Sequence, residues 1–270
     1  MYPDGGSAVL RERDVFTTDG DIDVHLGTSI AALEPTRTAL AFWRQQELVV
    51  LDRFIPPDLL ARMGAEAERL EGEVVRRQVT GYKRAGAVSY RKLFARAPSI
   101  IGLYRSPAFI GFLSDLCELP LLTCPDWDAH ACALYQYDAP GDHVGFHYDT
   151  SWYQGARFTV LIGLWDTSSS RLRCRLYSRE AHRPCREMDV ATKPGTLVFF
   201  NGDKLLHGVT PLGYDERRVV LSLQYVTNRE MRPWKRFITH IKDSVAYFGF
   251  SGGNGSPARL PAPRHLGEAP

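Results

Sequence analysis

Between residues 121 and 226 the chain divides into short segments that read as strands: 121–124, 131–137, 143–149, 157–166, 171–178, 186–190, 195–201 and 217–226. Gly, Pro, Asn and Asp punctuate them. Many short strands set off by turn residues argue for a sandwich or barrel rather than alternating βα units. One segment is especially clear. Arg171, Arg173, Arg175, Tyr177 and Arg179 alternate with Leu172, Cys174, Leu176 and Ser178, as in a half-buried strand whose arginine side is a solvated face.

Helical patterns flank this region. Residues 1 to about 30 are mixed and Gly/Asp-rich, a loosely held lead-in with a short strand at most. From Pro35 the spacing of Leu40, Phe42, Trp43 and Leu48 suits one buried helix face. The run Leu48-Val49-Val50-Leu51 reads as a buried strand, being brief and β-branched at its centre. Pro56-Pro57-Asp58 opens a helix to about Leu70, with Leu59, Leu60, Met63, Ala67 and Leu70 at helical spacing. Two more helices read over 99–104 and 107–118, the second striped by Phe109, Phe112, Leu113 and Leu116. After Asn228, Trp234, Phe237, Ile238, Ile241, Val245 and Phe248 trace the apolar face of a last helix. The expected organisation is therefore one domain over 1–250. It comprises a helical part at about 31–118, a β core at about 121–228 and a helix at about 231–248, followed by a disordered tail over 251–270.

Composition narrows the function classes. A net charge of +2 does not advertise nucleic-acid binding, so any such case would rest on local patches. The five cysteines (Cys117, Cys124, Cys132, Cys174, Cys185) form no Cys-x-x-Cys pair, which fits reduced thiols in the cytoplasm rather than a disulfide framework or zinc cluster. The polar, charge-interrupted start is not a signal peptide, and no window holds eighteen apolar residues, so no membrane partner is expected.

Two places carry chemistry. In His147-Tyr148-Asp149, strand alternation turns His147 and Asp149 the same way, and His207, sixty positions on (207 − 147), is the best third ligand. Two histidines and one carboxylate on one side of an octahedral ion leave positions open, the set that suits non-haem Fe(II) oxygen chemistry. A bare His-x-Asp arises often by chance, so the case needs more than these residues. The second place is 74–96, which holds seven basic residues (Arg76, Arg77, Lys83, Arg84, Arg91, Lys92, Arg96) and no acidic one. It reads either as a solvated face or as an attractor of an anionic substrate, with Arg84 as a carboxylate or phosphate anchor. Trp152, three past Asp149, reads equally as pocket lining and as core.

If the iron's co-substrate is a dicarboxylate such as 2-oxoglutarate, its far carboxylate needs a buried cation with fork geometry, which means arginine. Past His207 the chain offers Arg217 and Arg218. Val219, Leu221, Leu223 and Tyr225 share one strand face, and Arg218, Val220, Ser222 and Gln224 the other. The polar face suits a barrel interior holding a charged ligand, which selects Arg218; a bulge would invert the choice.

The ordered set His147-x-Asp149, Gly195-Thr196-Leu197-Val198-Phe199-Phe200, His207-Gly208-Val209-x-Pro211 and Arg218 resembles the Fe(II)/2-oxoglutarate-dependent dioxygenases over about residues 131–226. The resemblance implies a mainly β fold with flanking helices around a double-stranded β-helix (jelly-roll, cupin-like) core. It implies Fe(II), 2-oxoglutarate and O2 as cofactors, with ascorbate as an auxiliary reductant and succinate and carbon dioxide as co-products. It makes Tyr137, ten before His147, a 2-oxoglutarate partner, with Tyr135 on the same strand face as the alternative. The Gly-Gly-x-Leu turn common in the family is replaced by Asp166-Thr167-Ser168-Ser169-Ser170-Arg171.

The organisation is also similar to a group acting on amino acids and related small molecules, where hydroxylases and radical halogenases occur together. A halogenase needs an iron position open for chloride; Asp149 would fill it, so oxygen insertion is expected. The substrate is expected to be a small anionic or zwitterionic molecule. Two alternatives stand beside this. One is a cupin-like hydrolase or isomerase whose metal is held by His143, His147 and His207. The other is a 2-oxoglutarate oxygenase acting on protein or nucleic acid.

Overall fold

In the computed structural model, which describes residues 19–79, 81–149 and 151–230, β-strands form the frame and helices pack on one side of it. The chain runs α1 (Asp19–Ala31), α2 (Pro35–Arg44), β1 (Leu48–Leu51), α3 (Pro57–Arg69), β2 (Val75–Val79), β3 (Lys83–Val88), α4 (Tyr90–Arg96), α5 (Pro98–Arg105) and α6 (Pro107–Cys117). It continues through β4 (Leu122–Thr123), β5 (Cys132–Tyr137), β6 (His143–His147), β7 (Arg157–Asp166), β8 (Leu172–Leu176), β9 (Arg186–Val190), β10 (Leu197–Asn201), β11 (Leu206–Val209) and β12 (Arg218–Val226).

The main strand order is β1-β10-β7-β12-β5-β3-β6-β11-β8-β9, with β2 beside β3 and β4 beside β12, and these pairs are antiparallel. The order alone does not give the shape; the packing does. Leu48 of β1 and Val198 and Phe200 of β10 share an apolar cluster with Leu172, Cys174 and Leu176 of β8 and Val190 of β9. Strands from opposite ends of the path meet there, so the sheet curls into a half-barrel. This is the double-stranded β-helix expected from the sequence.

The helices cover the outside of the curl. On β12, Val219, Leu221, Leu223 and Tyr225 face a core built with Phe109, Leu113 and Leu116 of α6, Leu59 and Met63 of α3 and Ile100 and Leu103 of α5. Arg218, Val220, Ser222 and Gln224 point to the interior. The alternation read from the sequence is thus the real one, even though β12 carries an irregularity against β7 between Val219 and Val220. Helix placement has local causes: the buried Glu66 carboxylate accepts the free N–H groups of Ser99 and Ile100 at the start of α5, a favourable end for a negative charge.

Several sequence expectations are corrected. Residues 19–31 of the supposed loose lead-in are helix α1, whose Ile22 and Leu26 are fully buried. On α2, Phe42 stacks on Phe199 (5.1 Å, 15°), whereas Leu40 and Trp43 stay partly exposed and Leu48 belongs to β1. A helix of ten residues has room for a narrower buried stripe than spacing suggested. The basic 74–96 stretch is a hairpin, β2 and β3, followed by α4. Strand β11 was not among the predicted strands; at four residues it is too short to show alternation. The expected last helix (231–248) and tail (251–270) lie outside the described residues. No helix among the described residues is long and apolar enough to cross a membrane.

Candidate metal centre

His147 ends β6, and its direct cross-strand partner on β11 is His207. Their rings lie 4.3 Å apart between centroids. The Nδ1 of His147 is 2.9 Å from the Gly145 carbonyl, and that of His207 is 3.1 Å from the Leu205 carbonyl. A carbonyl can only accept, so each Nδ1 carries the proton and each Nε2 keeps its lone pair for a ligand, the outer support that metal-binding histidines need.

Asp149 completes the set from just beyond β6. Its Oδ1 lies 3.4 Å from His147 Nε2 and its Oδ2 3.8 Å from His207 Nε2. The three ligating atoms fall within 4.8 Å of one another. Donors about 2.1 Å from one ion at right angles stand ~3 Å apart, so little adjustment closes this set on a metal. The convergence does not come from strand alternation as the sequence implied. Asp149 lies past the strand end, fixed by its N–H donating to the Gly202 carbonyl (2.9 Å) and by the Thr159 hydroxyl donating to Oδ2 (2.6 Å). A Cβ on Gly202 would sit 2.7 Å from the Asp149 Cβ, so the ligand's position requires glycine there. Asp203 ties the following loop, accepting from the N–H groups of Ser151 (2.8 Å) and Arg157 (3.2 Å).

Electrostatics favour an ionised Asp149 and a neutral His207 and act oppositely on His147. Burial opposes charge on Asp149, but His207 and His147 opposite it hold its carboxyl far below the usual range. Burial lowers the His207 pKa, whereas for His147 burial is outweighed by the hydrogen bond and charge of Asp149 together with the Gly145 carbonyl, and the pKa rises.

The same cavity contains Arg218, which is 1% exposed. Its Nε and Nη2 donate to the Thr192 hydroxyl (3.0 and 2.7 Å), while Nη1 is buried with no partner. Burial lowers its pKa, opposed first by the nearby Tyr137. A buried, unmet guanidinium N–H costs free energy unless something anionic or carbonyl-bearing meets it. Arg217 points outward and pairs with Glu71. Tyr137 is the register partner of Arg218 on β5, with the guanidinium carbon 5.2 Å from its ring centroid, and Tyr135 lines the same cavity.

Other sequence choices are placed elsewhere. Arg84 does not line this cavity; its Nε lies 3.4 Å from the fully buried Asp142, which Arg76 also grips through one nitrogen (2.7 Å to each oxygen). Its neighbour Lys83 lines the cavity instead, with its ammonium 4.3 Å from the Tyr135 ring centroid. One residue of strand parity separates the two. Trp152 is half-buried and outside the lining, and His143, tied to the Gly141 carbonyl, is not one of the clustered ligating residues. The arginines of β8 behave as a solvated face: Arg173 and Arg175 pair with Asp189 and Glu187 across β9. Sequence reading missed Arg157, Thr159 and His130 as lining residues. The first two were legible as polar positions alternating on the same face of an otherwise apolar strand.

A family model, Halogenase D, matches residues 33–156. No curated protein sequence matches the chain. The solved structures similar to this one include the epimerase SnoN in complex with Fe3+, alpha ketoglutarate and nogalamycin RO. It is 17% identical, with 86% of this chain and 95% of that one covered and a TM-score of 0.61. A prolyl hydroxylase from Trichoplax adhaerens, in complex with a hypoxia inducible factor peptide fragment, is 13% identical over 79% of this chain and 94% of its own, with a TM-score of 0.58. An oxidoreductase of the 2OG-Fe(II) oxygenase family from Burkholderia pseudomallei is 19% identical over 74% and 93%, with a TM-score of 0.57.

Proposed function

We propose that this chain, which has the double-stranded β-helix fold of the Fe(II)/2-oxoglutarate-dependent oxygenases, is itself such an oxygenase and hydroxylates an unactivated C–H bond of a small molecule. One observation carries the reading. The three-donor set of His147, Asp149 and His207 opens onto the same cavity as a buried arginine with an unmet N–H. A metal alone would not require Arg218, and an arginine alone would not require the donors.

The residues fit both absent groups. His147, Asp149 and His207 would hold Fe(II), and Arg218 would fork onto the far carboxylate of 2-oxoglutarate beside Tyr137. When bound, the pair supplies oxidising power from O2, with 2-oxoglutarate leaving as succinate and carbon dioxide. The protein's share is position and dryness. Nδ1 donation orients both imidazoles, Thr159 orients the carboxylate, and Val220, Leu161 and Leu172 shield the cavity from water.

The Halogenase D match raises the choice between oxygen and halogen insertion. Asp149 supports oxygen insertion. Its carboxylate would occupy the position a chloride needs, and Thr159 and Gly202 hold it there. Free thiols at all five cysteines suit a reducing cytoplasm.

The test is succinate formation by the full chain with Fe(II), 2-oxoglutarate and O2 across a panel of amino acids, nucleotides and carrier-bound acids. The proposal expects succinate above background with at least one substrate, its loss in His207→Ala, and a hydroxylated product. Formation of a chlorinated product in chloride buffer would overturn the hydroxylase assignment.

A further inference from the structure

We propose that Arg157 anchors an anionic oxygen group of the substrate, a carboxylate or a phosphate, at the end of the cavity opposite Arg218. This deepens the oxygenase reading and rests on it.

Position comes first. Strands β7 and β12 run side by side, and their register puts Arg218 opposite Asp166 at one end and Arg157 opposite Val226 at the other. Arg218, Val220, Ser222 and Gln224 line the cavity between them. Thr159, which donates to the metal ligand Asp149, pairs with Gln224, so the metal lies toward the Arg157 end of this ladder. A co-substrate reaching from Arg218 to the metal leaves Arg157 beyond it. That is where a second small molecule would sit.

The side chain is prepared for a ligand. Arg157 is 7% exposed, and its Nε donates to Gln224 Oε1 (2.9 Å), whose Nε2 in turn donates to Ser222. Among the described residues, no hydrogen bond or ion pair involves the terminal nitrogens of Arg157. The carboxylates on either side make no hydrogen bond or ion pair with those nitrogens, although Asp128 is near enough to favour the charged guanidinium. Asp128 takes the Tyr153 hydroxyl (2.6 Å) and the His130 N–H (2.9 Å), and Asp203 takes the main-chain N–H of Arg157 rather than its guanidinium. A buried, oriented fork with open donors is suited to planar or tetrahedral oxyanions.

The charge balance points the same way. Lys83, Arg157 and Arg218 contribute +3 to the lining and Asp149 −1, which leaves +2. Fe(II) and doubly charged 2-oxoglutarate cancel, so the loaded cavity keeps that +2. Asp128 and Asp149 attract the Arg157 guanidinium and offset part of this charge, and an anionic substrate would offset more of it.

The experiment uses the full chain with Mn(II) and 2-oxoglutarate, read by calorimetry and thermal shift, so that binding is measured without turnover. The probes are matched pairs. L-amino acids and 2-hydroxy acids are set against their amides in the carboxylate arm, and sugar or nucleoside monophosphates against the unphosphorylated compounds in the phosphate arm. The expected result is that at least one acid binds roughly 100-fold more tightly than its neutral twin. Arg157→Gln should abolish that preference and Arg157→Lys should restore part of it, both still binding 2-oxoglutarate. The arm that responds assigns carboxylate or phosphate. If no anion is preferred by the wild-type protein, or Arg157→Gln keeps the preference or loses 2-oxoglutarate, the proposal is overturned. Failure of wild-type protein to bind 2-oxoglutarate would instead sink the oxygenase reading, and the anion preference, measured on the same samples, would still report on Arg157.

Discussion

His147 and His207 stand face to face as cross-strand partners, ring centroids 4.3 Å apart, each tied by Nδ1 to a main-chain carbonyl so that both Nε2 atoms turn to Asp149. Neither imidazole has a direct bond to the other. The arrangement makes sense when an ion sits among the three groups. Replacing Asp149 with Ala should therefore weaken metal binding by more than the roughly 10–100-fold that loss of an outer-shell partner costs. Calorimetric titration with Mn(II) or Co(II) checks this. A site built on His143, His147 and His207 would bind almost as well without Asp149.

Gly202 tests how tightly the carboxylate is placed. A methyl group there would meet the Asp149 Cβ at 2.7 Å and push on the main chain that holds it. Gly202→Ala should cost about 1–3 kcal/mol of stability from overpacking and about 10–100-fold in metal affinity, with the fold retained by circular dichroism. Unchanged metal affinity in a folded variant would show that Asp149 can relocate without loss.

Arg218 separates a functional buried charge from a structural one. Its Nε and Nη2 donate to Thr192, and its Nη1 has no hydrogen-bond partner among the described residues. Arg218→Met removes a desolvated charge and keeps most of the volume, so melting should stay level or rise. Affinity for 2-oxoglutarate should fall by roughly 100-fold or more. A strongly destabilised variant with normal 2-oxoglutarate binding would make Arg218 a structural residue.

The strand pattern carried most of the fold, and the site was legible wherever a strand's period of two held. Arg218 over Arg217 followed from such alternation, because Val219, Leu221 and Tyr225 had to meet the helices. The same rule would have chosen Lys83 over Arg84, but parity was not applied to the basic 74–96 stretch. Asp149 was found for a reason that proved incomplete. Its place depends on Gly202, fifty-three residues later (202 − 149), and contacts between distant loops leave no local pattern. Arg157 was overlooked although it alternates with Thr159, because an arginine at the start of an apolar strand reads first as a strand end.

The thiols give a test of the core that is independent of activity. Burial pushes Cys117 up to about 11 and Cys124 and Cys174 up to about 12, and Cys132 higher still, whereas Cys185 is exposed. Thiolate is the reactive form. One thiol should react rapidly with a chromogenic disulfide reagent at neutral pH, and it should disappear in Cys185→Ser. The four buried thiols should react on unfolding. Rapid reaction of two or more thiols in native protein would contradict this packing.

Under the proposed function, one cavity binds iron and 2-oxoglutarate together through His147, Asp149, His207 and Arg218. Anaerobic absorption spectroscopy of the full chain measures it most directly. Adding Fe(II) and 2-oxoglutarate together should produce a visible metal-to-ligand charge-transfer band that neither gives alone, lost in His207→Ala and shifted to much higher 2-oxoglutarate concentration in Arg218→Met. Folded wild-type protein that shows no such band at saturating Fe(II) and 2-oxoglutarate would contradict the account.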